Sequence, residues 1–208
     1  MDTPARLAAQ LAFVREIDKV KGILRQTVLM DGSRRENDAE HSWHIAVMAV
    51  VLREHAPPGL DILRTVTMLL IHDLVEIDCG DTFCYDTERM VGKHEREARA
   101  AERIFGMLPP DIGHELRGLW DEFEARDSAE ARYANALDRL QPMLHNYATQ
   151  GHAWRKHGVT ADRVLRRNRI IRDASPGLWA YARDMVADAV QLGYVKPGPA
   201  FEQEMLEG

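Results

Sequence analysis

Cysteine is nearly missing: Cys79 and Cys84 are the only two in 208 residues. That excludes a disulfide-stapled scaffold, which a chain this long does not need in order to bury a core, and it fits a reducing cytoplasm. The pair also lacks the C-x-x-C spacing of zinc knuckles, so both are read as buried or loop thiols. Long apolar runs are missing as well. The longest, Ile45–Leu52, is far short of the roughly 20 residues that cross a bilayer. Arg6, Arg15 and Glu16 interrupt the first stretch before it reaches the length of a signal-peptide core, so neither secretion nor membrane insertion is expected. An excess of basic charge is missing too: 27 Lys and Arg against 33 Asp and Glu give −6, which disfavours a duplex nucleic acid partner. Small anions would be repelled by the whole, so a phosphate-bearing substrate requires local attraction from a metal or a few placed cations. Runs of alternating β-branched residues, the mark of strands, are not found.

What is present has a helical period nearly throughout, which predicts a compact all-α bundle, one domain over residues 1–208. Leu7, Leu11, Val14, Ile17 and Val20 predict a first helix that buries one stripe and ends near Gly22 or Leu24. After a polar loop from Met30 to Glu40, the stretch Glu40–Glu54 is apolar on most sides, which predicts a helix enclosed by others and stopped by Pro57-Pro58-Gly59. Asp61 is placed to cap a third helix, also apolar nearly all round, running into His72-Asp73-Leu74-Val75-Glu76. A loop around Gly80 precedes a charged helix, Glu88–Met107; Pro109-Pro110-Asp111 opens another, and Ser128 starts a helix that ends near Gly151. Helices over Thr160–Asp173 and Pro176–Gly193 precede a tail containing Gly and Pro.

Polar groups appear where burial should be deepest. Asp73 lies among Leu69, Leu70, Leu74 and Val75, where an unpaired carboxylate would cost several kcal/mol. A divalent cation removes that penalty, since neutral imidazole and carboxylate oxygen are its ordinary ligands. His72 and Asp73 diverge by about 100° on a helix, so they would hold an ion from one flank. His41, 31 positions earlier, and Asp138, within the stripe Ala134, Leu137, Gln141 and Leu144, are placed to complete the set. A lone inward His or Asp is ordinarily a hydrogen-bonded core residue, so the residues alone leave two readings open: a metal site, or four satisfied core side chains.

The order and spacing of His41, His72-Asp73 and Asp138 match the H…HD…D signature, and the chain is identified by it as a member of the HD-domain metal-dependent phosphohydrolases. The match extends to Arg35-Glu36-Asn37-x-x-Glu40-His41-Ser42, to His72-Asp73-x-x-Glu76 with Gly80-Asp81 following, to Lys93-His94 and to Leu137-Asp138. This pattern resembles the 5′-deoxynucleotidase branch over residues 10–150, with the C-terminal helices, about 158–193, outside it. The resemblance implies one divalent ion on His41, His72, Asp73 and Asp138, hydrolysis of nucleoside 5′-monophosphates, and a homodimer. It also implies Glu76 as the acid/base residue, Asp81 as a second acid orienting water or substrate, and Arg25 as the phosphate-binding arginine. Glu76 stands at i+3 from Asp73 and i+4 from His72, one helical face. After Arg25 the aromatic residue often found in the family is replaced by Gln26 and Thr27.

Four protein ligands leave two positions of an octahedral ion open for water and substrate, which suits Mn²⁺, Co²⁺, Mg²⁺ or Fe²⁺ better than tetrahedral Zn²⁺. Three rivals are weighed: a phosphodiesterase for cyclic or dinucleotides and a di-iron oxygenase, each drawing on His94 or His114 for a second metal, and a non-catalytic nucleotide-binding module. His44 is read as a core or supporting histidine, and His94, His114, His145, His152 and His157 as surface residues. Trp43, Trp120, Trp154 and Trp179 are read as core aromatics, and the arginines at 163, 166, 167, 169 and 172 as a solvated or dimer-facing surface.

Overall fold

The computed structural model describes residues 3–83 and 85–207. Cys84 lies outside the described residues; Cys79 is a half-buried free thiol. The helices are α1 (Thr3–Ile17), α2 (Asp38–Val51), α3 (Ile62–Ile71), α4 (Glu76–Cys79), α5 (Thr87–Met90), α6 (Lys93–Phe105), α7 (Pro110–Ala125) and α8 (Ala129–Ala148). They continue with α9 (His152–Lys156), α10 (Ala161–Asn168), α11 (Ile170–Ala174), α12 (Pro176–Gln191) and α13 (Phe201–Glu207).

Local chemistry sets the long elements. Asn37 accepts from the Glu40 amide while the Glu40 side chain accepts from the Asn37 amide, a reciprocal capping box that starts α2. Asp61 caps α3 through the Arg64 amide, and Ser128 caps α8 through the Ala131 amide. Pro110 occupies the first turn of α7, where its missing N–H costs nothing. α8 is the axle: α2, α3, α7, α11 and α12 all pack on it, and Tyr133, Ala134, Leu137 and Leu140 are buried in a continuous apolar core. Pro142 within α8 removes the N–H that would bond the Asp138 carbonyl, loosening the helix beside that residue.

Several expectations are corrected. The first helix stops at Ile17, a 3₁₀ turn covers Asp18–Gly22, and β1 (Leu24–Val28) then pairs antiparallel with β2 (Arg35–Asn37), so Arg25 sits on a strand within an otherwise helical fold. The third helix also ends early. His72–Val75 form a 3₁₀ turn between α3 and α4, and because i and i+3 eclipse at three residues per turn, Asp73 and Glu76 are stacked more directly than in an α-helix. Glu88–Met107 is broken at Gly92, in the left-handed region at φ 65°. The tail carries α13, tied to α10 by Glu204 pairing with Arg166 and Arg169. Finally, α1, α2 and α3 are not enclosed: Leu7, Leu11, Val14, Val47, Val50, Val51, Leu63 and Leu70 are exposed, and Trp43 is 64% exposed rather than core. Trp120, Trp154 and Trp179 are buried as expected.

Candidate metal centre and phosphate cavity

His41 comes from the first turn of α2, His72 and Asp73 from the 3₁₀ turn, and Asp138 from the middle of α8. The structure brings these four together. His41 Nε2 lies 3.0 Å from Asp138 Oδ1, and His72 Nε2 lies 3.1 Å from Asp73 Oδ1 and 3.8 Å from Asp138 Oδ1. Ligand atoms of His41, His72 and Asp73 fall within 4.8 Å of one another.

The opposite ring nitrogens decide what occupies this junction. His72 Nδ1 donates to the Leu69 carbonyl at 2.9 Å, leaving its buried Nε2 without a hydrogen-bond partner. His41 Nδ1 donates to Gln141 Oε1 at 3.1 Å. Gln141 is held in that sense by its own amide nitrogen, which donates to Glu36 Oε1 at 2.6 Å and to His145 Nε2 at 2.9 Å, while His145 Nδ1 donates to the Val28 carbonyl at 2.9 Å. Each proton has one place to go, so the Nε2 lone pairs of both His41 and His72 face carboxylate oxygens. Lone pairs meeting lone pairs in a buried place require a cation between them, and the donor set suits a divalent ion. A proton is the other means of compensation. It is disfavoured at His41, depressed to about 4 by burial and by Arg25, and favoured at His72, where Asp73 overcomes burial and raises the ring to about 9, so a proton compensates one ring and leaves the other to a metal ion.

Arg25 reaches inward from β1, its Nη1 2.7 Å from Asp73 Oδ2 and 3.3 Å from Asp38 Oδ1. Around it stand Asp38, Asp73, Glu76 and Asp81. Carboxylate oxygens of Asp38, Asp73 and Glu76 lie within 4.8 Å of one another, and Asp38 Oδ2 and Glu76 Oε2 are buried without a hydrogen-bond partner. Burial, then the charges of Asp73 and Asp38, lifts Glu76 well above the usual carboxylate range; burial and Asp73 lift Asp38 to about 7. Asp81, carried past Gly80 at φ 69°, is also raised, chiefly by burial, with Arg25 opposing. Arg25, Asp73, Glu76, Asp81, Lys93 and Asp138 line one cavity of about 170 Å³. It combines a candidate metal junction, a cation that can meet phosphate and a carboxyl group that retains its proton.

Sequence reasoning passed over three residues here. Asp38 is fully buried with Oδ2 unpartnered, yet in sequence it reads as an ordinary acid in the first turn of a helix. Gln141 and Glu36 set the His41 tautomer; the signal available for Gln141 was its place one turn after Asp138. His145 is corrected: it is buried and belongs to this hydrogen-bonded set. Its ring centroid lies 5.5 Å from that of His44, whose supporting place agrees with expectation. His94, His114 and His152 are exposed, so neither His94 nor His114 offers a second metal position in this arrangement. His157 is half-buried and stacks on Phe83 at 4.3 Å.

Comparison with known proteins agrees with this geometry. The chain is 34% identical over 135 residues to the human 5′-deoxynucleotidase HDDC2, covering 64% of this chain and 65% of that protein; it thus spans about two thirds of the relative's length. A 5′-deoxynucleotidase of Yersinia pestis is 25% identical over 135 residues, covering 60% of this chain and 68% of the relative. A solved structure titled as a predicted metal-dependent phosphohydrolase from Magnetospirillum magnetotacticum MS-1 superposes with a TM-score of 0.90 at 56% identity, covering 94% of this chain and 99% of that one. The PH0347 protein of Pyrococcus horikoshii, at 22% identity and a TM-score of 0.60, shares the fold. The HD-domain profile matches residues 17–179, the span that carries every residue of the junction, and with that extent of agreement the chain belongs to the HD-domain family.

Proposed function

We propose that this chain is a metal-dependent 5′-nucleotidase, releasing phosphate from deoxynucleoside 5′-monophosphates, with one divalent ion held by His41, His72, Asp73 and Asp138. The observation that carries this reading is the convergence of His41 Nε2, 3.0 Å from Asp138 Oδ1, and the unpartnered His72 Nε2, 3.1 Å from Asp73 Oδ1, on one buried junction. Two observations extend it to phosphomonoesters: Arg25 and Lys93 line the same cavity as the junction, and relatives named 5′-deoxynucleotidase are 25–34% identical to this chain over 135 residues. A divalent ion there supplies withdrawal of charge from the phosphoryl group and acidification of water.

The residues of the chain do the rest. Arg25 turns from Asp73 and Asp38 to the non-bridging phosphate oxygens and fixes the ester for in-line attack. Glu76, kept protonated by burial and its acidic neighbours, gives its proton to the 5′-oxygen as the P–O bond breaks. Asp81 orients the attacking water. His41, His72, Asp73 and Asp138 would leave two positions of an octahedral ion open, which would suit Mn²⁺, Co²⁺, Mg²⁺ or Fe²⁺. The exposed apolar faces of α2 and α3, centred on Trp43, Val50 and Leu63, support a homodimer, because monomers rarely leave such surface in water. One continuous core from α1 to α12 supports a single domain. Among the described residues no helix is long and apolar enough to cross a membrane.

The test is phosphate release by Glu76→Gln. The variant keeps the shape and the ion sites but has no acidic proton, so turnover falls by at least 100-fold while bound metal is unchanged; undiminished turnover would remove Glu76 from its role.

A further inference from the structure

Next to the cavity lies a second hollow of about 370 Å³, walled among the described residues by Arg126, Arg139, Arg163, Arg166 and Arg167 with Tyr85 and Ile170. In a chain of net charge −6 such a gathering of guanidinium groups runs against the general surface; Arg139 stands 3.9 Å from Asp138 Oδ2, and the positive potential left by Arg163 and Arg167 attracts anions. Tyr85, Arg139 and Arg167 line both spaces, so the hollow is the outward continuation of the cavity that holds Arg25 and Asp73. Arg163 and Arg167, one turn apart on α10, both lie over the Tyr85 ring, at 5.2 and 5.7 Å from its centroid. Stacking holds guanidinium planes while leaving their N–H edges available for phosphate oxygens. Arg166 has a different duty, tied to Glu204 at 2.9 Å.

Resting on the 5′-nucleotidase reading, we infer that Arg163 and Arg167 over Tyr85, with Arg139 behind, form a second anion site that takes a phosphoryl group at the far end of the same substrate. In this inference a nucleoside with its 5′-phosphate at the metal junction presents its 3′-oxygen to the adjoining hollow, which shares Tyr85, Arg139 and Arg167 with the cavity. The substrate class is therefore a deoxynucleoside 3′,5′-bisphosphate, whose 3′-phosphate is bound and not cleaved.

The experiment compares a deoxynucleoside 5′-monophosphate with its 3′,5′-bisphosphate on the metal-loaded full chain, measuring kcat/KM for phosphate release and, separately, Kd by calorimetry. The wild type should favour the bisphosphate roughly tenfold in both quantities, the worth of one charge-assisted contact. Arg163 is exposed and lines only the outer hollow, so Arg163→Ala and Arg163→Glu leave the core intact; the first should erase the preference and the second reverse it. Equal affinity for the two nucleotides, or a preference that survives Arg163→Glu, overturns the inference. If neither nucleotide releases phosphate, the hydrolase reading fails, and the calorimetric preference still decides the second site.

Discussion

Gln141→Met isolates the hydrogen-bonded chain that sets the His41 tautomer. Methionine matches glutamine in length and volume, so packing changes little, but the amide is lost. Three buried groups then lose their partner: His41 Nδ1–H, Glu36 Oε1 and His145 Nε2. Each unsatisfied buried group costs about 1–3 kcal/mol; since the three are neighbours and can partly re-pair, a total of about 3–6 kcal/mol is expected. That is a large part of the roughly 5–15 kcal/mol that holds a domain folded. The effect on the metal is separate: with its Nδ1 proton unanchored, the His41 ring loses its orientation, and affinity for a divalent ion should drop about 10–100-fold. Urea unfolding of the metal-stripped protein measures the first quantity, and titration with Mn²⁺ measures the second. A folded variant that binds Mn²⁺ as tightly as the wild type would refute the reasoning, since the junction would then not depend on the tautomer.

Two further outcomes are expected. Burial lifts Glu36 to about 7, so the folded metal-free protein holds a proton that the unfolded chain releases near the usual 4.5; its stabilising effect is full below pH 4.5 and is lost as pH rises through 7. Urea midpoints of the metal-free protein should fall over this window, less steeply in Glu36→Gln, with Asp38, Glu76 and Asp81, which are also raised, contributing the remainder; a flat profile would contradict it. Trp43→Glu with Val50→Glu charges the exposed face of α2, so sedimentation should show a dimer for the wild type and a monomer for the variant, and an unchanged mass would assign the interface elsewhere.

The elements that read plainly from sequence carry their own boundary chemistry. α3, α7 and α8 begin at Asp61, Pro110 and Ser128 because a cap or a first-turn proline is a local event, and the spacing of His41, His72-Asp73 and Asp138 marked the junction because polar groups stood inside apolar stripes. What sequence concealed depends on partners. Periodicity shows that Leu7, Leu11 and Val14 share a face but not whether anything covers it, so an exposed stripe looked like a buried one. Leu24–Val28 is too short to show alternation, and its pairing with Arg35–Asn37 puts Arg25 beside Asp73, 48 positions away. His145 and Asp38 looked solvated because nothing in the local sequence marks them as enclosed, while the groups that enclose them, Val28 on β1 for one and Arg25 and Asp73 for the other, come from other segments.

The central claim is that four side chains share one ion and that this ion is required for hydrolysis. Metal-stripped protein titrated with Mn²⁺, while phosphate release from a deoxynucleoside 5′-monophosphate is followed, tests it directly. Release should rise from baseline and level at one ion per chain, and Asp138→Asn should weaken both binding and release. Phosphate release that persists without metal, or a plateau at one ion that Asp138→Asn leaves untouched, would contradict the account.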